Sequence, residues 1–279
     1  MNDETVKVLS GLLTQLEGQL NADVLALVGP IEGALDGLTR IALEKLTTKR
    51  SKLAIVLHTP GGFVEIAERI VNVIRHFYKE AVFIIPNTAM SAGTVLAMSG
   101  DAIMMDYFSC LGPIDPQVRK EGKLVPVLSY LLQWDRFVEK SRNKTLTEAE
   151  FLIMSGLDIA ELHQFEMQRD LSISLLRQWL ATYKFKDWKE TETSKIPVTQ
   201  AMREKRAEEI ATKLMKHDLW GSHGRGLPMK ILQQEVNLKI DDFGADPALS
   251  QTIRDYFGLL IDYLIRNNME QCVQSREFF

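Results

Sequence analysis

The chain has 279 residues, 46% of them hydrophobic and 25% charged, with a formal net charge of −4. That length buries a core without staples and suits one large α/β unit. The mild acidity, with no basic stripe among aromatics, excludes nucleic acid as an expected partner, and two isolated cysteines, Cys110 and Cys272, exclude a zinc site and suit a reducing compartment.

Residues 1–5 are acidic and lack the basic-then-apolar plan of a secretion signal. The longest apolar stretches break well before the roughly 18 residues of a membrane helix. A cytoplasmic protein without a membrane span is the expectation.

Apolar spacing predicts a helix over Val6 to Leu20, then a strand over Asp23 to Val28 ending at Gly29-Pro30. A helical period returns from Leu35 to Leu46. The run Leu53-Ala54-Ile55-Val56-Leu57 has no polar alternation, the mark of a strand covered on both faces in a parallel sheet. It stops at His58-Thr59-Pro60-Gly61-Gly62. A helix is expected over Phe63 to Tyr78, a strand over Ala81 to Pro86, a connection over Asn87 to Ser91, a helix over Ala92 to Met98 and a strand over Ala102 to Met105. This alternation argues for parallel crossovers.

From Val127 to Lys216 the pattern is mostly helical, with Thr145-Leu146-Thr147-Glu148 read as a capping box. Lys184 to Pro197 reads as loop and Ala201 to Met215 as helix. The charged run from Arg203 to Glu209 reads as a solvated helix face. Trp220 to Pro228 is glycine-rich. Pro228 to Glu235 is read as a helix, Leu238-Lys239-Ile240 as a short strand and Ile253 to Asn267 as the last helix.

Three expected loops follow strands, where open α/β sheets bind ligands. In Thr59-Pro60-Gly61-Gly62, paired glycines let backbone N–H groups approach a ligand, and the same residues also suit a plain turn. In Met90-Ser91-Ala92-Gly93, a serine at a helix start suits a nucleophile or an N-cap. In Gly112-Pro113-Ile114-Asp115-Pro116, two prolines hold a carboxylate that could orient an imidazole or bond its own turn.

A serine nucleophile needs a base. His76 and His163 lie within helical patterns, His58 ends a strand and could face the site, and His217 lies at a helix end. His223, in Gly221-Ser222-His223-Gly224, sits in a loop, where catalytic histidines concentrate. Lys120, Lys123 and Lys140 are the lysines a serine–lysine pair would draw on.

Taken together, the turns Thr59-Pro60-Gly61-Gly62, Asn87-Thr88-Ala89-Met90-Ser91-Ala92-Gly93-Thr94 and Gly112-Pro113-Ile114-Asp115-Pro116-Gln117 resemble the Clp protease/crotonase fold. Within it the chain resembles the serine dehydrogenase proteinase family, relatives of Clp peptidase and signal peptide peptidase A. The resemblance is strongest from Asp23 to Val118 and weaker to Ile240. It implies one domain over 1–279, with a core at about 21–125 and 217–245, a helical insert at about 127–216 and a C-terminal helix at about 250–270. It implies a serine endopeptidase that needs no cofactor or metal. Ser91 is the implied nucleophile, Asp115 and His223 complete the triad, and Gly61, Gly62 and Ala92 are the oxyanion donors. Asp218 is the alternative acid. The Gly-Pro-Ile-Asp-Pro loop lacks the histidine that Clp peptidases carry there. A serine–lysine hydrolase, an inactive peptide-binding scaffold and a thioester-acting crotonase are the other readings, the last disfavoured by the serine turn. The resemblance further implies a peptide or protein substrate, a homo-oligomer using the N-terminal helix and the segment from Ile253 to Phe279, and a separate ATP-dependent unfoldase, since no P-loop is present.

Overall fold

The apolar run in the fifties fixes the centre of the molecule. In a computed structural model, which describes residues 3–120, 123–191 and 193–279 (the side chains at 3, 119, 123, 124, 217 and 218 excepted), it forms strand β2, Lys52–His58. Before it come helix α1 (Asp3–Leu20), strand β1 (Asp23–Val28) and helix α2 (Leu35–Lys45). After it come α3 (Val64–Phe77), β3 (Glu80–Ile84), β4 (Thr88–Ala89), α4 (Ala92–Ala97), β5 (Ala102–Met105) and β6 (Cys110–Leu111). A hairpin follows, β7 (Gln117–Lys120) and β8 (Lys123–Pro126). Then come helices α5 (Val127–Arg142), α6 (Glu148–Ser155) and α7 (Ile159–Trp179), which runs into a π-helical turn at Leu180–Lys184. The rest is α8 (Gln200–Met215), α9 (His217–Trp220), β9 (Leu227–Pro228), α10 (Met229–Gln234), β10 (Asp241–Asp242), α11 (Pro247–Arg266) and β11 (Cys272–Gln274).

The main sheet runs β10-β5-β3-β2-β1-β11, parallel throughout except for β11, which is antiparallel to β1. Side chains alternate across its two faces. Leu25, Leu27, Leu53, Ile55 and Phe83 join α2, α3, α4, α7 and α8 in one core. Val24, Ala26, Ala54, Val56 and Ile84 face the other way, onto α1 and α11. Both faces are covered, which is why the strands read as unbroken apolar runs. Helix α5 and the first half of α7 share a small satellite core around Leu131 and Phe165.

The long elements fall where the periodicity predicts them, within two or three residues for most and further for the start of α11. Short features differ. The predicted connection over Asn87 to Ser91 contains β4, and β6, β9, β11 and the β7–β8 hairpin were not expected. The capping box lies two residues along: Thr147 caps α6 and its partner is Glu150, so Thr145 and Glu148 do not form it. The strand expected over Leu238 to Ile240 forms at Asp241–Asp242, because Leu238 and Ile240 are drawn into the core while the backbone next to them pairs with β5. Among the described residues no helix is long and apolar enough to cross a membrane.

Candidate active site

A second sheet, only three strands of two residues each, organises the site. Its order is β4-β6-β9. Ala89 of β4 leads to Ser91, Leu111 of β6 leads to the loop holding Asp115, and Leu227 of β9 follows the loop holding His223. Pairing the three strands therefore brings three distant loops together. The main sheet adds a fourth: Thr59, just past β2, bridges to Ala89, so the glycine turn lies beside the serine turn.

Ser91 has φ +51° and ψ −118°. This conformation is strained for a residue with a Cβ, and observed strain of this kind concentrates at functional sites. Although Ser91 precedes α4, its side chain makes no capping bond, so the local N-cap alternative does not describe it. Its backbone carbonyl accepts from Thr94 and Val95, which anchors the strained turn to the helix.

Asp115 is fully buried. The loop around it is pinned on both sides: Ile114 N–H donates to Leu214 O, and Val127 N–H donates to Pro116 O. Asp115 Oδ1 lies 2.9 Å from His223 Nδ1, and Oδ2 is buried without a hydrogen-bond partner among the described residues. A carboxylate at that distance favours the tautomer with the proton on Nδ1 and leaves Nε2 as an acceptor. The His223 loop is itself braced. Gly224 N–H donates to Ser222 Oγ, Arg225 donates to Trp220 O, and the Trp220 indole donates to Lys213 O.

Ser91, Ala92, Gly62 and His223 line one cavity of about 320 Å³, with Phe63, Val64, Val95 and Ile114 as apolar wall. Its acidic lining residues are Glu32 and Glu65. No hydrogen bond joins Ser91 to His223. The glycine turn is resolved into two roles. Gly61 N–H is occupied, donating to Thr59 Oγ1 at 3.0 Å. Gly62 N–H and Ala92 N–H have no acceptor among the described residues, so of the expected oxyanion donors these two are available. Gly61 (φ +106°) and Gly62 (φ +146°) occupy conformations suited to glycine, and a Cβ at Gly61 would sit 2.9 Å from both Met90 O and Ser91 Cβ.

The other bases lie elsewhere. His58 does not face Ser91: its Nδ1 is 3.2 Å from Thr88 O, its ring packs edge-on against Phe257, and it lines a separate apolar cavity. Burial lowers its pKa, against a smaller opposing effect from the Thr88 contact. His76 lies in α3, and His163 is in α7 beside Glu166. Lys120 pairs with Glu161 and Lys140 with Glu150, and no described lysine lines the cavity. The side chains of His217, Asp218 and Lys123 lie outside the described residues. Among those described, no group of three or more His, Cys, Asp or Glu is placed to hold a metal ion. What the sequence reading lacked was the small sheet and the buried Thr94 behind it. Two-residue strands leave no periodic signal, and the pairing of three short segments was the missing information.

A model of the ClpP-like SDH-type serine proteinases matches residues 38–216. The chain belongs to this family. The matched stretch holds the glycine turn, Ser91 and Asp115, and His223 lies beyond it. Two uncharacterized proteins of Methanocaldococcus jannaschii are 33% and 31% identical to this family member over 37% and 38% of its length. The matches span 34% and 42% of those relatives' own lengths. In solved structures, two chains of the 1510-N membrane-bound stomatin-specific protease are similar, one of them in complex with a substrate peptide. They share 12% and 13% identity, cover 82% and 78% of this chain and 82% and 73% of theirs, and give TM-scores of 0.45 and 0.44.

Proposed function

We propose that the protein is a serine peptidase that cleaves peptide bonds through an acyl-enzyme on Ser91. The observation that carries this reading is the 2.9 Å contact between His223 and buried Asp115, at a cavity that also holds the strained Ser91. In the proposed reaction His223 Nε2 takes the Ser91 hydroxyl proton as Oγ bonds to the substrate carbonyl carbon. The carbonyl oxygen becomes an oxyanion facing Gly62 N–H and Ala92 N–H. The C–N bond then breaks, the leaving amine takes the proton from His223, and water hydrolyses the ester by the same route. Asp115 holds the tautomer. Substrate binding draws the His223 loop onto Ser91, since catalytic bonds tighten on the bound substrate.

The shared core of the sheet, α7 and α8 supports reading the chain as one Clp-fold unit. Peptide substrates, a homo-oligomeric state, a cytoplasmic location and a partner unfoldase belong to this same proposal.

The test is labelling by a serine-reactive fluorophosphonate. Wild type should label, Ser91→Ala should not, and His223→Ala and Asp115→Asn should label at least about 10³ times more slowly. Equal labelling of wild type and Ser91→Ala would overturn the reading. Full labelling of His223→Ala with loss on substituting Lys120, Lys123 or Lys140 would move the base to a lysine.

A further inference from the structure

Thr94 is fully buried on α4, one turn after Ser91. A threonine inside a helix usually bonds back to a carbonyl three or four residues earlier. Thr94 does otherwise. Its Oγ1 lies 2.8 Å from Ala89 O and 2.9 Å from Gly112 O, and it accepts from Gly112 N–H at 2.9 Å. Ala89 is the last residue of β4 before the serine turn, and Gly112 is the first residue after β6 on the way to Asp115. One hydroxyl thus closes the β4–β6 ladder where its two strands diverge, one toward the nucleophile and one toward the acid. Gly112 N–H also reaches Ala89 O at 3.2 Å, so it keeps an acceptor without Thr94. Among the described residues the Gly112 carbonyl has no other donor. The hydroxyl is therefore needed less to satisfy that N–H than to fix the spacing of the two strand ends.

We propose that Thr94 is a positioning residue that sets the distance between Ser91 and the Asp115–His223 pair through Ala89 and Gly112. The proposal rests on the serine-peptidase reading for its effect on rate but not for its effect on geometry. Misplacing a reacting group by about 1 Å costs up to roughly a hundredfold in rate. Thr94→Val keeps the shape and removes the hydroxyl, and Thr94→Ser keeps the hydroxyl and removes the methyl.

The experiment compares the two variants with wild type by fluorophosphonate labelling across pH and by the NMR resonance of the His223 Nδ1 proton. Thr94→Val should label roughly tenfold or more slowly, with the acid limb of its pH profile displaced, and should lose or shift that resonance. Thr94→Ser should stay within about threefold of wild type and keep the resonance. Wild-type behaviour in Thr94→Val, or equal loss in Thr94→Ser, would overturn the proposal. If Thr94→Val does not fold, Thr94→Ala against Thr94→Ser makes the same comparison. If wild type itself labels no better than Ser91→Ala, the peptidase reading fails, and the Nδ1 resonance still decides the role of Thr94.

Discussion

Ser91 holds its φ of +51° and ψ of −118° at a cost of order 1–3 kcal/mol for a residue with a Cβ. The strain predicts a trade between stability and function. Ser91→Gly and Ser91→Ala should both abolish labelling, but Gly relieves the strain and Ala retains it. Even after the roughly 0.5–1 kcal/mol that glycine loses in chain entropy, the Gly variant should melt at a higher temperature than the Ala variant. Equal melting temperatures, or the reverse order, would show that the turn is unstrained. Local sequence alone favours an N-cap at Ser91, because residue type does not encode the backbone angle. The same holds at Gly61 and Gly62. Two adjacent glycines read alike, yet the Thr59 hydroxyl occupies the first N–H and leaves the second free.

At the scale of the element, α4 shows how tightly the serine turn is packed. A Cβ on Gly93 would collide with Cγ2 of buried Thr59. Gly93→Ala should cost about 1–3 kcal/mol, measured by chemical denaturation, and should slow labelling by displacing Ala92 N–H. Gly258 in α11 is the control, since a Cβ there meets nothing within 4 Å. Gly258→Ala should stabilise by up to about 1 kcal/mol. The helices and long strands were legible because each carries a period of its own. The capping box slipped by two residues because Thr145 and Thr147 are both threonines with a glutamate three residues on, and only the bonds choose between them. The two-residue strands of the site sheet exist only through their partners, so no local signal announces them.

Over the whole molecule, stability depends on buried charge. Lys184 ends the π-helical turn, and burial pushes its pKa down to about 8, an effect partly offset by Asp241 and reinforced by the neighbouring charge of Lys239. The unfolded chain binds that proton more tightly, with an ordinary value of 10.5. Between pH 8 and 10.5 this group's penalty fades as pH rises, and below pH 8 it is present in full. Lys184→Met should therefore stabilise the protein at pH 7 by roughly 1–3 kcal/mol, and by much less near pH 10. A gain independent of pH would assign the effect to packing alone. The α/β architecture was legible at this scale, through two-sided apolar strands and their spacing. A grouping of Ser91, Asp115 and His223 is expected only through the family resemblance. It depends on contacts between segments that lie far apart along the chain.

Strand β11 covers the outer edge of β1, pairing Val28 with Cys272 and Ala26 with Gln274. Just beyond it, Arg276 reaches back to Glu17 and to fully buried Asp23. Along the chain β1 is made long before β11, the strand that finishes its edge. Until residues 272–276 emerge, the nascent sheet carries an open edge and a carboxylate without its arginine, both of which invite pairing with other chains. Completion of this sheet is thus timed by translation of its far segment, and a polypeptide stopped before residue 272 should be captured by chaperones or aggregate although every residue of the proposed site is already present.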